Sequence, residues 1–329
     1  MNLKAEEIIP QTFVSLAAAG SLQLEFRYLG LKTGNEEYTN KAMKIFQNAR
    51  GADTFKHLVP YHLSTSDSWF HGNHFSFGAH ADSYFEYLLK AWLQGCKREA
   101  YLRELYDDAV QGLHDHLLQH SSPSGLSYLA RGHRRFSIEN SQPLVELDHT
   151  MEHLACFVPG MLMLGAATDP QGPSSSRAQR DRKVAQELTY TCYQMYHRQN
   201  TGLGPEMVRF KDGKDFVVED GDAHYILRPE VAEAIFYMYF FTKDLVYREW
   251  GWEIFSAIER YCGTAIAFGS YPDVRNIHRN PKDEMESFFL AETLKYLYLI
   301  QKTDNDIDLL KYVLNTEAHP LGKYEECSQ

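Results

Sequence analysis

Apolar residues recur at intervals of three and four along most of the chain, which is the spacing of one face of an α-helix. Alternating apolar and polar positions, typical of strands, form only short runs between these segments. The pattern therefore predicts a mainly α fold. The predicted helices cover residues 13–31, 37–50, 82–93, 99–119, 151–166, 178–198, 229–241, 245–261 and 284–301. Short two-stranded pieces are predicted within residues 57–75, 126–136 and 206–225, and a Pro/Gly/Ser-rich loop over 168–182.

Very apolar helices alternate with more charged ones in this pattern. An apolar helix that starts with an acid or an imidazole occurs four times, in ADSYFEYLLKAWL, MEHLACFVPGMLML, RPEVAEAIFYMYFF and EMESFFLAETLKYLYLI. A helix that is apolar nearly all round is buried on both sides, whereas its partner with a polar face contacts solvent. Stacking such pairs in a circle makes an α/α toroid whose inner helices all begin at one face. That face would collect Asp82, Glu152, His153, Glu230 and Glu286.

Length and charge exclude several classes of protein. The 329 residues, 44% of them hydrophobic, suffice for a large core, and we treat residues 1–329 as one domain. The formal net charge of −11 repels phosphate backbones, so nucleic acid is not an expected partner. The apolar runs fall short of the roughly 20 residues that cross a bilayer, and the N-terminus lacks the pattern of a signal peptide.

The acids on these apolar helices call for a structural or functional explanation. A buried carboxylate costs folding free energy unless it is paired, hydrogen-bonded or bound to metal. Pro229 suits a first helical turn, so Glu230 would lie near the positive end of the helix dipole and next to Arg228. Both neighbours favour the ionised form that a general base needs. Glycoside hydrolysis uses two carboxyl groups across a cleft, so the set of acids indicates a sugar hydrolase.

Ordinary explanations exist for each of these residues. Asp82 and Glu286 could be first-turn or capping acids of their helices. Glu206 could be a solvated loop acid, Arg228 and Glu230 a helix-start salt bridge, and His153 a satisfied core histidine. It is their joint occurrence that favours the hydrolase.

Eight strings follow one another in order along the chain: SLQLEFRYLG, FGAHADSYFEYLLKAWLQG, EHLACFVPG, GLGPEMV, LRPEVAEAIFYMY, YREWGWEIF, DEMESFFLAETLKYLYL and NTEAHP. Together they resemble the class I α-1,2-mannosidases of glycoside hydrolase family 47. The resemblance implies an (α/α)7 barrel with short β-hairpins and a bound calcium ion. It also implies a reaction that trims α-1,2-linked mannose from high-mannose N-glycans with inversion.

The resemblance carries site residues onto this chain. Asp82, Glu206 and Glu230 match catalytic carboxylates, Glu230 as the general base. Thr316 matches the residue that binds Ca²⁺ through its hydroxyl and carbonyl oxygens, a choice of hard ligands that suits this ion. The carboxylates expected to orient the calcium-bound waters are Glu317 and Glu286. The residues expected to contact substrate are Glu25, His80, His153, Arg228 and Glu286.

His80 departs from the family pattern. Relatives of the endoplasmic-reticulum type carry Arg at this position, and relatives of the Golgi type carry a small apolar residue. The position is expected to influence which mannose branch is preferred, and an imidazole fits neither type.

Cys156 and Cys192 lie where the resemblance implies a disulfide, with two buried free thiols as the alternative. Closing a loop of this length would stabilise the fold by roughly 3–4 kcal/mol in the chain-entropy model. Oxidation would imply a lumen of the secretory pathway, either the endoplasmic reticulum or the Golgi. The resemblance leaves Cys96, Cys262 and Cys327 without a role.

Relatives in this family carry further barrel helices, and the usual proton donor in an F-E-x-x-I-R string, before the point that corresponds to the start of this chain. The expectation is therefore a partial catalytic domain, with membrane association only through a segment absent from this chain. A calcium-dependent mannosidase is the leading interpretation. One alternative is a catalytically impaired, mannosidase-like glycan-binding protein in glycoprotein quality control, and another is a helical toroid without a sugar site.

Overall fold

The chain is mainly helical, and helices that are almost completely buried alternate with helices that are half-exposed. The computed structural model describes residues 11–50, 54–67, 69–137, 141–303 and 307–324. The α-helices are α1 (Leu16–Gly20), α2 (Gln23–Thr33), α3 (Glu36–Ala49), α4 (Asp82–Gln94), α5 (Ala100–Gly112), α6 (Val158–Ala167), α7 (Ser176–His197), α8 (Glu230–Thr242), α9 (Val246–Cys262) and α10 (Leu294–Gln301). Within the described residues, none of these helices combines the length and the apolar composition that a membrane span requires.

The helices form an inner and an outer layer. Helices α4, α6 and α8 are buried over almost their whole length, whereas α5 and α9 bury only one stripe each. Each inner helix packs against the outer helix that follows it, α4 on α5, α6 on α7 and α8 on α9. The inner helices also contact one another in the order α4, α6, α8, α10. The predicted alternation of inner and outer helices is confirmed, because a helix without a polar face is stable only when both sides are covered.

The strands are short and lie in the connections between helices. They are β1 (Phe13–Ser15), β2 (His62–Ser64), β3 (Phe70–His71), β4 (His74–Phe75), β5 (Leu118–His120), β6 (Ser127–Leu129), β7 (Arg131–Phe136), β8 (Pro143–Asp148), β9 (Thr150–Glu152), β10 (Met207–Lys211), β11 (Asp215–Val217), β12 (Tyr312–Leu314) and β13 (Pro320–Gly322). All pairings are antiparallel, in the sheets β1-β2-β3, β4-β7-β8, β5-β6, β9-β10-β11 and β12-β13.

The β12–β13 hairpin brings the end of the described chain back to its beginning. It follows α10 in sequence, yet β12 contacts α4 and β13 contacts α2. The turn between the two strands therefore reaches the inner helices at the end where α4 and α8 begin. Strands of three residues are too short for an alternating pattern, which is why the sequence did not predict this hairpin.

Three predicted helices begin at other residues than expected. The predicted helix 151–166 starts with strand β9, continues as a 3₁₀ turn over His153–Phe157 and becomes α-helical only at Val158. The predicted helix 284–301 starts with a π-helical turn over Phe289–Thr293. The predicted helix 13–31 is divided into β1, α1 and α2. Helix α7 begins inside the predicted loop 168–182, because the Ser175 hydroxyl caps it by accepting from the Ala178 N–H at 3.1 Å.

Candidate active site

An acidic cavity of about 180 Å³ lies where the inner helices begin. Its walls come from the first turns of α4 and α8, the segment before α10 and the turn of the β12–β13 hairpin. The lining residues are Asp82, Ser83, Glu86, Leu154, Phe157, Arg228, Pro229, Glu230, Glu233, Phe288, Glu292, Thr316 and Glu317. The cavity is therefore surrounded by six carboxyl groups, which come from four separate parts of the chain.

Glu230 is held by a buried histidine. Its Oε2 lies 2.6 Å from Nδ1 of His153, and Nε2 of His153 lies 2.7 Å from the Tyr196 hydroxyl. Burial alone would raise the pKa of Glu230, but the hydrogen bond and charge of His153, together with the charge of Arg228, outweigh it and lower that pKa below the usual value. Glu230 is thus ionised at neutral pH, as a general base must be.

Arg228 joins Glu206 to the same group. Its Nε lies 2.6 and 2.9 Å from the two carboxylate oxygens of Glu206, and its Nη1 lies 3.7 Å from Oε1 of Glu230. The Glu206 carbonyl also accepts from the His153 N–H at 2.8 Å. Leu227, directly before Arg228, is fully buried with a φ of 68°, a conformation that costs a non-glycine residue free energy. The backbone is therefore held in a strained conformation next to the charged groups.

The pKa of Asp82 is shifted in the direction opposite to that of Glu230. Burial, aided by the charges of Glu230 and Glu86, raises its pKa to about 6, although the Ser83 N–H donates to its Oδ1 at 2.7 Å. Asp82 thus keeps a proton closer to neutral pH than an ordinary aspartate does. Two carboxyl groups whose pKa values are shifted in opposite directions are the usual sign of an acid and base pair.

Three buried acids that the sequence interpretation missed also line the cavity. Burial, reinforced by the neighbouring carboxylates, raises the pKa of Glu292 to about 10 and that of Glu233 to about 8. Glu86 forms a buried ion pair with Lys90. Glu86 follows Asp82 by four residues, and Glu233 follows Glu230 by three, so each shares a helix face with a predicted site acid. That spacing could have identified both of them.

Glu286, which the sequence interpretation places at the same face, is not among the residues that line this cavity. Its contact with substrate or with calcium-bound water stays a prediction. Its side chain is exposed, and its carbonyl accepts from the Phe289 N–H at 3.1 Å. The expectation assumed that the helix starts at residue 284, whereas helical structure begins with the π turn at Phe289. The later start places Glu292, and not Glu286, toward the cavity.

Thr316 and Glu317 lie on the turn of the β12–β13 hairpin and line the cavity. Within the described residues, no three His, Cys, Asp or Glu side chains converge on one point in the manner of a direct metal site. The donors around the cavity are nevertheless all oxygen atoms, and Thr316 offers a hydroxyl and a carbonyl together. This donor set fits a hard cation such as Ca²⁺, with the carboxylates acting through water.

His80 and Glu25 lie beside the cavity. His80 lines a larger neighbouring cavity of about 540 Å³, where its ring stacks on Tyr61 with centroids 5.4 Å apart. Glu152, another wall residue there, accepts from the Ala79 N–H at 2.8 Å. Much of the remaining wall comes from strands β7 and β8. Glu25 contacts Tyr87 and the hairpin turn through one oxygen.

The predicted disulfide is confirmed. Cys156 and Cys192 have an S–S distance of 2.04 Å and link the 3₁₀ turn after His153 to helix α7. The bond fixes the turn next to the His153–Glu230 pair. Cys96 is also disulfide-bonded. Cys262 is a buried free thiol, and burial raises its pKa to about 12.

Comparisons with known proteins find similar sequences along nearly the whole chain. Residues 1–323 match the sequence profile of Glycosyl hydrolase family 47. The chain is 42% identical over 320 residues to the endoplasmic reticulum mannosyl-oligosaccharide 1,2-alpha-mannosidase of Homo sapiens, covering 93% of this chain and 43% of that protein. It is 37% identical over 338 residues to the protein of the same name from Schizosaccharomyces pombe, covering 98% and 64%.

Solved structures confirm the α/α architecture. The alpha-1,2-mannosidase from Trichoderma reesei superposes with a TM-score of 0.84 at 28% identity, over 96% of this chain and 67% of that one. A D-mannose isomerase superposes with a TM-score of 0.60 at 13% identity, over 90% and 74%, which shows likeness of fold alone. The chain spans about half the length of the curated relatives that it matches.

Proposed function

Because the chain belongs to glycosyl hydrolase family 47, we propose that it is an inverting α-1,2-mannosidase that acts on high-mannose N-glycans and depends on calcium. The observation that carries the proposal is the pairing, in one cavity, of an ionised Glu230 with an Asp82 that retains its proton to about pH 6. The relatives that the chain matches are named mannosyl-oligosaccharide 1,2-alpha-mannosidases, which supplies the substrate class.

The residues divide the work of hydrolysis between them. Glu230 takes a proton from water as the water oxygen bonds to the anomeric carbon of mannose. As the glycosidic bond breaks on the other face, Asp82 gives its proton to the departing oxygen. His153 holds Glu230 at 2.6 Å and keeps its charge, so the base is oriented before substrate arrives. Arg228 fixes Glu206 beside this pair and offers hydrogen bonds to sugar hydroxyls.

Calcium would be held by the hydroxyl and carbonyl oxygens of Thr316, with Glu317, Glu292 and Glu233 acting through water. When bound, the ion would hold and orient sugar hydroxyls as a template. The cavity would also become less negative around its buried acids. The need for such compensation follows from the raised pKa values of Glu233 and Glu292.

A lumen of the secretory pathway is the proposed location. The disulfide between Cys156 and Cys192 requires an oxidising compartment. Relatives from human and fission yeast are named for the endoplasmic reticulum. The Golgi remains the other compartment in which the same chemistry could take place.

Mannose release from a Man9 oligosaccharide tests the proposal. We expect the chain to release mannose with calcium and to lose activity when the ion is chelated. Glu230→Gln keeps the size of the side chain but removes the base, and should lower the rate at least about 100-fold. Glu249→Gln is the matched control, because that carboxylate is exposed on the outer helix α9 and does not line the cavity.

Each outcome decides one part of the proposal. Equal rates for the wild type and Glu230→Gln would refute the assignment of the base. Release that ignores chelation would refute the calcium dependence. Glycan binding without any release would overturn hydrolysis and would support a glycan-binding protein instead.

A further inference from the structure

A partly buried hydrogen-bond network joins helices α2 and α4 to the turn that carries Thr316. The Tyr87 hydroxyl donates to Oε1 of Glu25 at 2.8 Å and accepts from the Thr316 N–H at 3.2 Å. Nδ2 of Asn315 donates to the same Glu25 oxygen at 2.8 Å. Residues 25, 87 and 315 are far apart in the sequence, so the network exists only in the folded protein.

The turn is closed by its own hydrogen bonds. Oδ1 of Asn315 accepts from the N–H groups of Glu317 and His319, at 3.0 and 2.8 Å. The Asn315 N–H donates to the His319 carbonyl at 3.0 Å. These bonds fix the shape of the turn but not its place relative to the inner helices. A second set of contacts has to hold it there.

Tyr87 contacts Thr316 directly. Its side chain is fully buried, so the ring cannot swing away from the turn. Thr316 is exposed at the cavity wall, and its backbone N–H is bonded to the Tyr87 hydroxyl beneath it. Lys295 of α10 also holds the turn, by donating to the Ala318 carbonyl at 3.0 Å. At Thr316 itself, the Tyr87 hydroxyl is the side-chain group that bonds the backbone.

We propose that Tyr87 is a positioning residue, whose hydroxyl holds the Thr316 turn against α4 and so places the two oxygens of Thr316 in the cavity. The importance of this placement for metal binding rests on the calcium dependence proposed above. Partners that orient a metal ligand are commonly worth 10- to 100-fold in metal affinity.

Tyr87→Phe removes the hydroxyl and keeps the ring. Tyr84→Phe is the matched control, because Tyr84 lies one turn earlier on α4, is equally buried and packs its ring against Phe46 and Phe85 away from the turn. Asn315→Ala is a second variant that lies outside the helices and breaks the same network from the other side.

Two measurements on the full chain test the inference. In the presence of a chelator, amide hydrogen exchange of the Thr316 N–H should become about tenfold faster in Tyr87→Phe and Asn315→Ala, and stay unchanged in Tyr84→Phe. Titration calorimetry with calcium alone should show an affinity about 10- to 100-fold weaker in the first two variants. A merely structural loss would slow or speed exchange throughout α4, and Tyr84→Phe would share it.

The possible failures are distinct. Exchange at Thr316 that is the same in Tyr87→Phe as in the wild type would overturn the positioning role. A wild-type chain that binds no calcium would refute the proposed calcium dependence, while the exchange experiment would still decide the role of Tyr87. Normal calcium affinity in a variant with fast exchange would also overturn the inference, since the turn would then not need to be held.

Discussion

The carboxyl groups of the cavity differ from one another more than their shared chemistry suggests. Glu230 has a partner for its charge in His153, and its pKa is lowered. Glu292 is as deeply placed but faces other carboxylates, and its pKa rises to about 10. The difference arises from neighbours and not from residue type, because burial acts in the same direction on both.

Glu292 should therefore give the chain a measurable dependence of stability on pH. Its usual pKa is 4.5, so between about pH 4.5 and 10 the folded chain holds one proton more at this group than the unfolded chain. The free energy of unfolding should then fall by about 1.4 kcal/mol per pH unit through this group as pH rises. Glu292→Gln removes this proton, so the variant should lose stability less steeply between pH 5 and 9.

Urea unfolding in the presence of a chelator measures this slope. Glu286→Gln serves as the control, because it makes the same chemical change at an exposed side chain instead of a buried one. Parallel curves for the wild type and Glu292→Gln would show that Glu292 titrates near its ordinary pKa and would contradict the prediction.

At the scale of elements, the site depends on how the turns between helices are packed. Glu206 follows the turn that contains Gly204, and a Cβ at Gly204 would lie 2.3 Å from Cε2 of Tyr196. Tyr196 is buried and its hydroxyl lies 2.7 Å from His153. Glycine at this position therefore permits the close approach of a loop to the aromatic ring that orients the histidine.

Gly204→Ala should displace the Tyr196 ring and weaken its contact with His153. The overpacking should cost about 1–3 kcal/mol of unfolding free energy, and mannose release should slow because the Glu230 base loses its fixed partner. Gly221→Ala is the control, since a Cβ there would meet no atom within 4 Å. Urea denaturation and the rate on a Man9 oligosaccharide measure the two effects. Wild-type stability in Gly204→Ala would show that the loop shifts freely.

At the scale of the whole molecule, the fold concentrates negative charge on its inner face. Lys90 is the buried cation next to these acids, paired with Glu86 and placed over the Tyr237 ring at 5.7 Å. The charges of Glu86 and Glu233 raise the pKa of Lys90 although burial opposes this. The Lys90 ammonium group thus compensates the negative charge of Glu86 on α4 and of Glu233 on α8.

Lys90→Met should leave buried carboxylates without their cation and destabilise the fold by about 3–5 kcal/mol. Lys41→Met is a matched control: Lys41 forms the same i, i+4 pair with Glu37, but both side chains are exposed, so the free energy of unfolding should not change. Denaturant unfolding at neutral pH in the presence of a chelator compares the two. Equal stability of the two variants would contradict the assignment of Lys90 as the compensating charge.

The sequence by itself determined the helical class, the alternation of inner and outer helices, the identity of Glu230, Arg228 and Asp82 as candidate residues, and the Cys156–Cys192 pair. These features follow from local periodicity, from residues next to one another in the chain, or from ordered motifs that resemble a known family. Glu86 and Glu233 were within reach of the same reasoning, because helical spacing places them below predicted site acids.

Only the tertiary structure decided which acids face the cavity and what holds them. Because helical structure begins only at Phe289, Glu292 lines the cavity and Glu286 does not. The β12–β13 hairpin returns to the start of the chain and brings Asn315 to Glu25 and Thr316 to Tyr87. The opposite pKa shifts of Glu230 and Glu292 also depend on contacts between distant segments. Local pattern carries no information about such contacts, because burial and neighbouring charge are set only when the helices pack together.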